Sequence, residues 1–534
     1  VLPVGIYLNP DNEKYLETTN GEIFVDKTLL IAYTNKIIKT PSKYICVSRP
    51  RRFGKSTDAN MLVAYYSKGC DSSELFKDKK IASEPSYPLH LNKHHVIHLD
   101  MQSFLSMSES VEQMISLFSR LIIREIKKEF GDLDYFNDGS IPLTLNDVYA
   151  FTGKQFIFII DEWDCIFREY KQDKEAQRKY LDYLRLLLKD KPYVELAYMT
   201  GILSIKKYGS HSALNMFDEI SMIQSDFLSC FMGFTEEEVK NLCDQSGMDF
   251  KEMQEWYDGY HLNMKLKDEK GKIVNKEISI YSPRSVTASI ARHNFGNYWN
   301  NTETYESLKT YIDMNYDGLK DTIIKLLVGE KSKIETGSFQ NDMTTFQEKD
   351  DVLTLLVHLG YLGYNQKTKE VYIPNKEVTD SFIQSIRISN WQETTNALLN
   401  SYDLLKTTWE MQAEKVAAYI EEAHLHTSIL QYNDENALSY TLSLAYYTAR
   451  DDYSISRELP SDKGYADIVF IPKKDKPAMV IELKWNKEAH TAIDQIKEKK
   501  YMHGLEHYLD NLLLVGISYD KETKKHECII EKYQ

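Results

Sequence analysis

The sequence predicts an α/β protein whose front portion is a three-layer parallel sheet with helices on both faces, and three observations predict it. Short apolar runs alternate with helical stripes up to about residue 200; parallel strands need long crossover connections, usually helices, so this alternation is their signature. The run Tyr44-Ile45-Cys46-Val47 leads through Gly54-Lys55-Ser56 into a helical pattern from Asp58 to Ser67. The run Phe156 to Ile160 is wholly apolar and ends in Asp161 and Glu162. A strand without polar alternation suits the middle of a sheet covered on both faces, and ligands bind at the carboxyl ends of such strands.

Taken in order, Ile23 to Thr28 opens a helical stretch toward Lys39, and the stretch Ser48 to Thr57 follows the first strand. Strand, glycine-containing turn, Lys-Ser and helix form the order of a phosphate-binding P-loop, whose backbone N–H groups and helix N-terminus face the phosphates. Arg52, Phe53, Gly54, Lys55, Ser56 and Thr57 are the expected ATP-binding residues, with Lys55 on the β and γ oxygens and the Ser56 hydroxyl on Mg2+. The pattern G-x-x-x-x-G-K-[ST] is broken at its first glycine, where Arg49 stands. Asp161 is then placed to hold the same Mg2+, and Glu162 to orient the attacking water.

Val96 to Asp100 reads as a second strand, Ser110 to Phe130 as an amphipathic helix, Lys174 to Lys189 as another, and Val194 to Thr200 as a further strand. Thr200, at the end of the strand after the acidic one, is a candidate sensor of the γ-phosphate. A threonine that merely stops a strand would look the same. Arg49, Arg51 and Arg52 are candidates to offset phosphate charge, in cis or in trans across a homo-oligomer.

Thr235 caps a helix whose first turn, Glu236 to Glu238, complements the helix dipole. Trp256 to His261 reads as a helix end with Gly259 in the left-handed region. Lys265 to Lys276 reads as a polar excursion, and residues 300 to 350 as polar and helical. Asp351 to Leu359 is an apolar helix followed by a hairpin, Tyr361 to Asn365 and Glu370 to Ile373, a unit resembling the end of a winged-helix module. Such a unit either lids the nucleotide or touches DNA, and the lid is the favoured reading.

A second constellation lies near the C-terminus. Gly464 to Ile471 and Ala478 to Trp485 read as strands around the turn Pro472 to Pro477. Hairpin pairing about that turn sets Asp467 beside Glu482, and a spacing of two puts Lys484 on the face of Glu482. Two acids and a lysine form an oxygen-ligand site for Mg2+ or Mn2+ with an ammonium beside it, a set suited to phosphodiester hydrolysis. Glu435, on a helix from Asp434 to about Thr448, can reach the same metal, and Gln495 on a later helix can reach the site. Ordinary surface charges on an exposed strand pair are the alternative, disfavoured because Glu482 interrupts an otherwise apolar strand.

Length and charge bound these readings. The 534 residues suffice for about three domains of roughly 150 residues. A net charge of −15 excludes a chain-wide nucleic-acid wrapper but leaves room for a local basic groove. Six cysteines without a CxxC pair indicate neither a zinc site nor a disulfide framework. No membrane-length apolar run is present and Val1 to Pro10 lacks signal character, so a cytoplasmic protein that does not engage membranes is expected.

With these residues in place, the chain resembles the bacterial and archaeal AAA-ATPase-like family that carries a C-terminal PD-(D/E)XK nuclease-like domain. The resemblance rests on Val25-Asp26-Lys27-Thr28, the P-loop variant Ser48 to Ser56, Asp161-Glu162, Trp256 to Tyr260, Gly464 to Asp467 and Glu482-Leu483-Lys484. It implies a P-loop AAA-ATPase-like domain over 1–230, a helical and winged-helix-like lid or linker region over 231–400, and a PD-(D/E)XK nuclease-like domain over 401–534. The last would have an αβββαβ restriction-endonuclease-like core, with Glu435, Asp467, Glu482, Lys484 and Gln495 as its acids, base and helix glutamine. The expected function is ATP binding and hydrolysis controlling a metal-dependent nuclease on DNA. The rivals are an ATP-driven interaction switch with an inactive nuclease fold, and a nuclease with a degenerate nucleotide site.

Overall fold

The structure is a computed structural model that describes residues 5–226, 228–299, 305–314, 316–389, 391–426, 435–458, 467–485, 487–498, 505 and 507–534. The backbones of Glu435, Asp467 and Gln495 fall within this range, while their side chains lie outside the described part. The chain divides into two compact units, Val1–Thr302 with Lys333–Thr379, and Glu303–Ser332 with Asp380–Gln534.

The first unit is built on β1 (Tyr44–Ser48), β2 (His95–Asp100), β3 (Phe156–Asp161) and β4 (Val194–Gly201), with a short edge strand at Asp218–Ile220. The spatial order is β2, β3, β4, β1 and the edge strand. Every pairing is parallel. All residues of β1, β3 and β4 are buried, as continuous apolar strands in a two-sided sheet require. The β2 edge is covered by the chain start: the His98 N–H donates to the Tyr7 carbonyl and the Asn9 N–H to the Val96 carbonyl. Such cover removes an exposed strand edge.

The helix after the P-loop, Lys55–Tyr66, starts behind Gly54, whose φ of 83° is the left-handed conformation that glycine enters freely. It presses Leu62, Tyr65 and Tyr66 onto Ile45, Ile159 and Tyr198 of the sheet. The helix Val111–Phe130 buries Val111, Met114, Phe118, Ile122 and Ile126, and Ser110 caps it by accepting the Gln113 N–H. The expected cap at Thr235 is a full capping box with Glu238, whose carboxylate also pairs with Lys27.

Two readings of the middle region need correction. The Lys-rich stretch 265–276 is no excursion but the outer part of a long antiparallel hairpin, Tyr260–Lys267 with Ile273–Tyr281. Its outer residues are exposed on both faces, so the polar and apolar alternation that betrays a strand is missing there. Residues 300–350 are helical only at Tyr305–Ile312 and Leu319–Leu327. Beyond Lys333 the chain is irregular up to the next helix and is anchored by buried Asp342, which pairs with Lys206 at 2.9 Å and Lys174 at 3.2 Å. Hydrogen bonds from Thr345 and Lys206 hold that carboxyl well below the usual carboxylate range despite its burial.

The helix Lys349–Leu359 and the hairpin Gly363–Asn365 with Glu370–Tyr372 form as expected. Together with the longer hairpin they make a socket for the P-loop. Phe53 is fully buried, its ring edge-on to Tyr260 at 5.3 Å and to Trp299 at 6.5 Å. Tyr260 donates its hydroxyl to the Gly360 carbonyl. Gly360 has φ +89°, and a Cβ there would come within 2.6 Å of Trp299 and 2.8 Å of Pro50.

In the second unit, the strands Tyr453–Glu458, Asp467–Pro472, Ala478–Trp485, Leu512–Asp520 and Lys525–Lys532 form one sheet in that order. The pair Ala478–Trp485 and Leu512–Asp520 is parallel and the other pairs are antiparallel. The helix Glu435–Ala445 precedes the sheet, and Ala489–Glu498 supplies the crossover a parallel pair needs, packing Ile493 against Val480 and Leu514. This is an αβββαβ core with one added strand. The strand expected from Gly464 is seen from Asp467; residues 459–466 lie outside the described residues.

The Gly360 geometry yields a prediction. Gly360→Ala meets both backbone strain and two close ring contacts, so it should cost about 2 kcal/mol or more. Gly337→Ala, where a Cβ would meet nothing within 4 Å, should stay within about 0.5 kcal/mol. Thermal denaturation of the two variants against the parent checks the contrast.

Candidate functional site

The parallel order puts the carboxyl ends of β1 and β3 on either side of β4, and the site forms across those three ends. The Ser56 hydroxyl donates to Asp161 Oδ2 at 2.7 Å. From β4, the Thr200 hydroxyl donates to Asp161 Oδ1, and the Glu162 N–H reaches Thr200 Oγ1 at 3.3 Å. Lys55 Nζ donates to the carbonyls of Arg49 and Pro50 at 2.6 and 2.9 Å, and so lies inside the loop. Burial lowers its pKa to about 8, against the pull of Asp164 and Asp161.

Above this floor opens a cleft of about 490 Å³ lined by Lys55, Ser56 and Thr57, and by the side chains of Arg51, Arg52, Arg168, Arg284 and Glu162. Five cations on one cleft make a strongly anion-attracting concavity. Arg49 is not among them. Its side chain is fully buried, with Nη1 donating to the Ser48 carbonyl, and burial pushes its pKa down to about 10. The left-handed residues of the loop are Arg52 at φ 69° and Gly54 at φ 83°. Arg49 is not one of them, so its position makes no demand for glycine.

Glu162 has a positive φ of 52°, a strained conformation that turns its carboxylate toward Arg168 Nη2 at 3.2 Å. The same guanidinium lies 3.4 Å from Asp164, which is fully buried and accepts the N–H groups of Ile202 and Leu203 at 2.9 and 2.7 Å. Burial works against the Arg168 cation, but Asp164 and Glu162 together hold its pKa above the usual arginine value. A chain of charge and hydrogen bonds therefore links the end of β4 to Glu162.

Of the residues singled out from sequence, Arg52, Gly54, Lys55, Ser56, Thr57 and Glu162 line the cleft. Asp161 and Thr200 sit together at its floor, with Thr200 fully buried. The Phe53 side chain is turned away into the aromatic socket. Sequence reasoning passed over Arg168, Asp164 and Arg284. Asp164 and Arg168 are an i, i+4 opposite-charge pair, the spacing that brings side chains together on a helix. Arg284 follows Pro283 in the first turn of the helix Pro283–Arg292, where a cation opposes the helix dipole unless an anion is near.

In the second unit Asp467 and Glu482 are direct cross-strand partners, as expected from the turn. Glu482 and Lys484 alternate with Ile481 and Leu483, and both are fully buried. The crossover helix Ala489–Glu498 carries Gln495 and packs on the strand of Glu482. The helix of Glu435 begins at that residue and also approaches that strand. Oxygen donors in this chain order suit a hard divalent cation. Among the described residues no group of three or more His, Cys, Asp or Glu gathers around one point, and the side chains of Glu435 and Asp467 lie outside them.

Fold and site together define a P-loop nucleotide-binding unit joined to a unit with a nuclease-type mixed sheet. Residues 14–210 match the family described as predicted AAA-ATPase, and residues 433–528 match the PD-(D/E)XK nuclease superfamily, so the chain carries one domain of each kind. An uncharacterized protein in the vnfD 5′ region of Azotobacter chroococcum mcd 1 is 23% identical over 321 residues, covering 57% of this chain and 54% of that protein. The match thus spans about half the length of that curated relative. Among solved structures, a Walker-type ATPase of Pyrococcus abyssi is 14% identical and covers 66% of this chain and 94% of its own, with a TM-score of 0.33. The ORC2 protein of Aeropyrum pernix, in its ADPNP-ADP complexes, is 10% identical and covers 67% of this chain and 91% of its own, with a TM-score of 0.25. At these TM-scores neither neighbour bears on the assignment. Among the described residues no helix is long and apolar enough to cross a membrane.

Asp164→Ala should lower stability by about 3 kcal/mol or more, because it leaves the Arg168 guanidinium buried beside Glu162 alone and removes the acceptor for two buried N–H groups. Urea unfolding followed by tryptophan fluorescence measures the loss.

Proposed function

We propose that this chain binds and hydrolyses ATP, and that the nucleotide state controls a metal-dependent phosphodiesterase in its C-terminal domain that acts on DNA. The observation that carries the ATPase reading is the hydrogen bond from Ser56 to Asp161 at 2.7 Å, which joins the P-loop hydroxyl to the strand-end acid on the floor of a cationic cleft. Ser56 and Asp161 are the residues that would hold Mg2+, and the ion, when bound, would neutralise charge developing on the phosphates. Lys55, Arg51, Arg52 and Arg284 offset the charge of the triphosphate. Glu162 orients the attacking water, and Arg168 fixes where that carboxylate points. The packing of Gly360 against Pro50 supports the lid reading of the helix and hairpin that follow, since a shift of the loop would move them.

In the C-terminal domain Asp467 and Glu482, with Glu435, would hold Mg2+ or Mn2+; Lys484 would position or activate water, and Gln495 would help place the substrate phosphate. The register of Asp467 on Glu482 supports this. A second reading, a nuclease fold that binds without cutting, is favoured by one observation, the complete burial of Glu482 and Lys484.

Two measurements decide between these readings. Glu162→Gln should keep ATP affinity within a few-fold and lose about 100-fold or more in turnover, since the hydrogen-bonding shape survives and the carboxylate does not. Lys55→Ala should weaken ATP binding itself, and an equally active Glu162→Gln protein would refute the assignment. Purified protein given linear or circular DNA with Mg2+ or Mn2+ should cut it, and Glu482→Ala or chelation should abolish the cutting. Absence of cleavage by the parent with ATP, ADP or no nucleotide would establish the binding-only reading.

A further inference from the structure

The second unit contains a cavity of about 390 Å³ on the side of its sheet away from Glu482. Strand alternation separates the two: Val469, Val480 and Glu482 face the crossover helix, whereas Ile468 and Phe470 face the other way, into the cavity. One wall is aromatic. Phe470 sits against Tyr446 at 5.8 Å and Tyr453 at 5.7 Å. The hydroxyls of those tyrosines are engaged elsewhere, Tyr446 with Thr408 and Tyr453 with the Pro477 carbonyl, so the wall presents ring surface.

The opposite character comes from Arg450 and Lys473. The Arg450 guanidinium lies 4.7 Å from the Tyr447 ring, and burial lowers its pKa despite the pull of Tyr447 and Asp451, so its charge is under-compensated. Beside it, Gly329 ends the helix Leu319–Leu327 with φ +90°, and even a Cβ there would stand 3.5 Å from Arg450 Nη2. The glycine keeps the space next to the cation open. Lys473, exposed on the turn after Pro472, stands at the rim.

A wholly apolar occupant would leave the Arg450 cation desolvated without gain. An inorganic anion would leave the ring wall bare in a cavity of the size that takes small organic ligands. The chemistry that satisfies both sides is an anionic group attached to a flat ring. We propose that this cavity is a second nucleotide site, with the phosphate held by Arg450 and Lys473 and the base set against Phe470 and Tyr446. The segment that supplies Gly329, Glu303–Ser332, belongs to the second unit while both its ends continue into the first. A ligand here would tie that segment to the nuclease-type sheet, which suits an effector site.

The P-loop is removed from the test by working in full-length Lys55→Ala protein, so failure of the ATPase reading leaves this test unaffected. Titration calorimetry of that protein with AMP, inorganic phosphate and a 5′-phosphorylated dinucleotide reads the site directly. AMP should bind with one equivalent and at least tenfold more tightly than phosphate. Lys473→Glu and Arg450→Gln should each weaken it tenfold or more, and Ser443→Phe, which fills the cavity from the partly exposed helix face, should abolish it at unchanged melting temperature. Stronger binding of the dinucleotide would identify the source as the end of a nucleic-acid strand, and stronger binding of AMP a free nucleotide; either upholds the site. No detectable AMP binding at millimolar concentration, or affinity unchanged in both charge variants, would overturn it.

Discussion

The first unit turns on the two oxygens of Asp161. One accepts the hydroxyl that opens the P-loop helix and the other accepts the hydroxyl that closes β4, so one carboxylate fastens three chain segments distant in sequence. Each such bond to a charged acceptor is worth about 1.5 to 3 kcal/mol, but its consequence is geometric more than energetic. It fixes the helix start relative to the strand ends, and every cation of the cleft is positioned from that frame. Glu162, the next residue, is thereby forced into its left-handed backbone, and the strain aims its side chain across the cleft mouth at Arg168.

The loop itself is held from outside by apolar contact. Phe53 is the one large apolar residue in a run of arginines, and it is buried in a socket of Tyr260 and Trp299 closed by Gly360. Truncating such a residue typically costs about 3 to 5 kcal/mol. That energy holds the arginines on either side of it in the cleft, because a loop pinned at its apolar member leaves its charged neighbours facing solvent and ligand. Arg49 takes the opposite course. Without a left-handed backbone to accommodate, its position tolerates a side chain, and the side chain runs inward beneath the loop, so the residue that breaks the usual pattern lies outside the ligand space.

Elements driven by local patterning were legible in the sequence. β1, β3 and β4 announce themselves as apolar runs, the helix Val111–Phe130 as a stripe, and the pairing of Asp467 with Glu482 follows from the position of a turn. The long hairpin was not legible, because its outer half is exposed on both faces and so has no alternation to read. The irregular stretch from Ile334 to the Lys349–Leu359 helix was misread for a related reason: it is anchored by Asp342 to Lys206 and Lys174, partners remote in sequence. Arg168 was missed because its importance lies in what it touches, and the relevant contacts depend on the backbone of β4 rather than on a motif.

Net charge would misjudge what this molecule attracts. The chain carries −15 overall, yet Arg51, Arg52, Lys55, Arg168 and Arg284 converge on one cleft. At an ionic strength near 0.15 M, exposed charges are screened beyond about 8 Å, so a ligand entering the cleft responds to those five cations and the nearby acids rather than to the distant surplus of carboxylates. Burial sharpens the effect, since low-dielectric walls concentrate the field. The acidic surface and the basic cleft therefore do different work: the surplus carboxylates keep the molecule in solution and repel polyanions at large, while the recessed cations admit an anion small enough to come inside the screening distance.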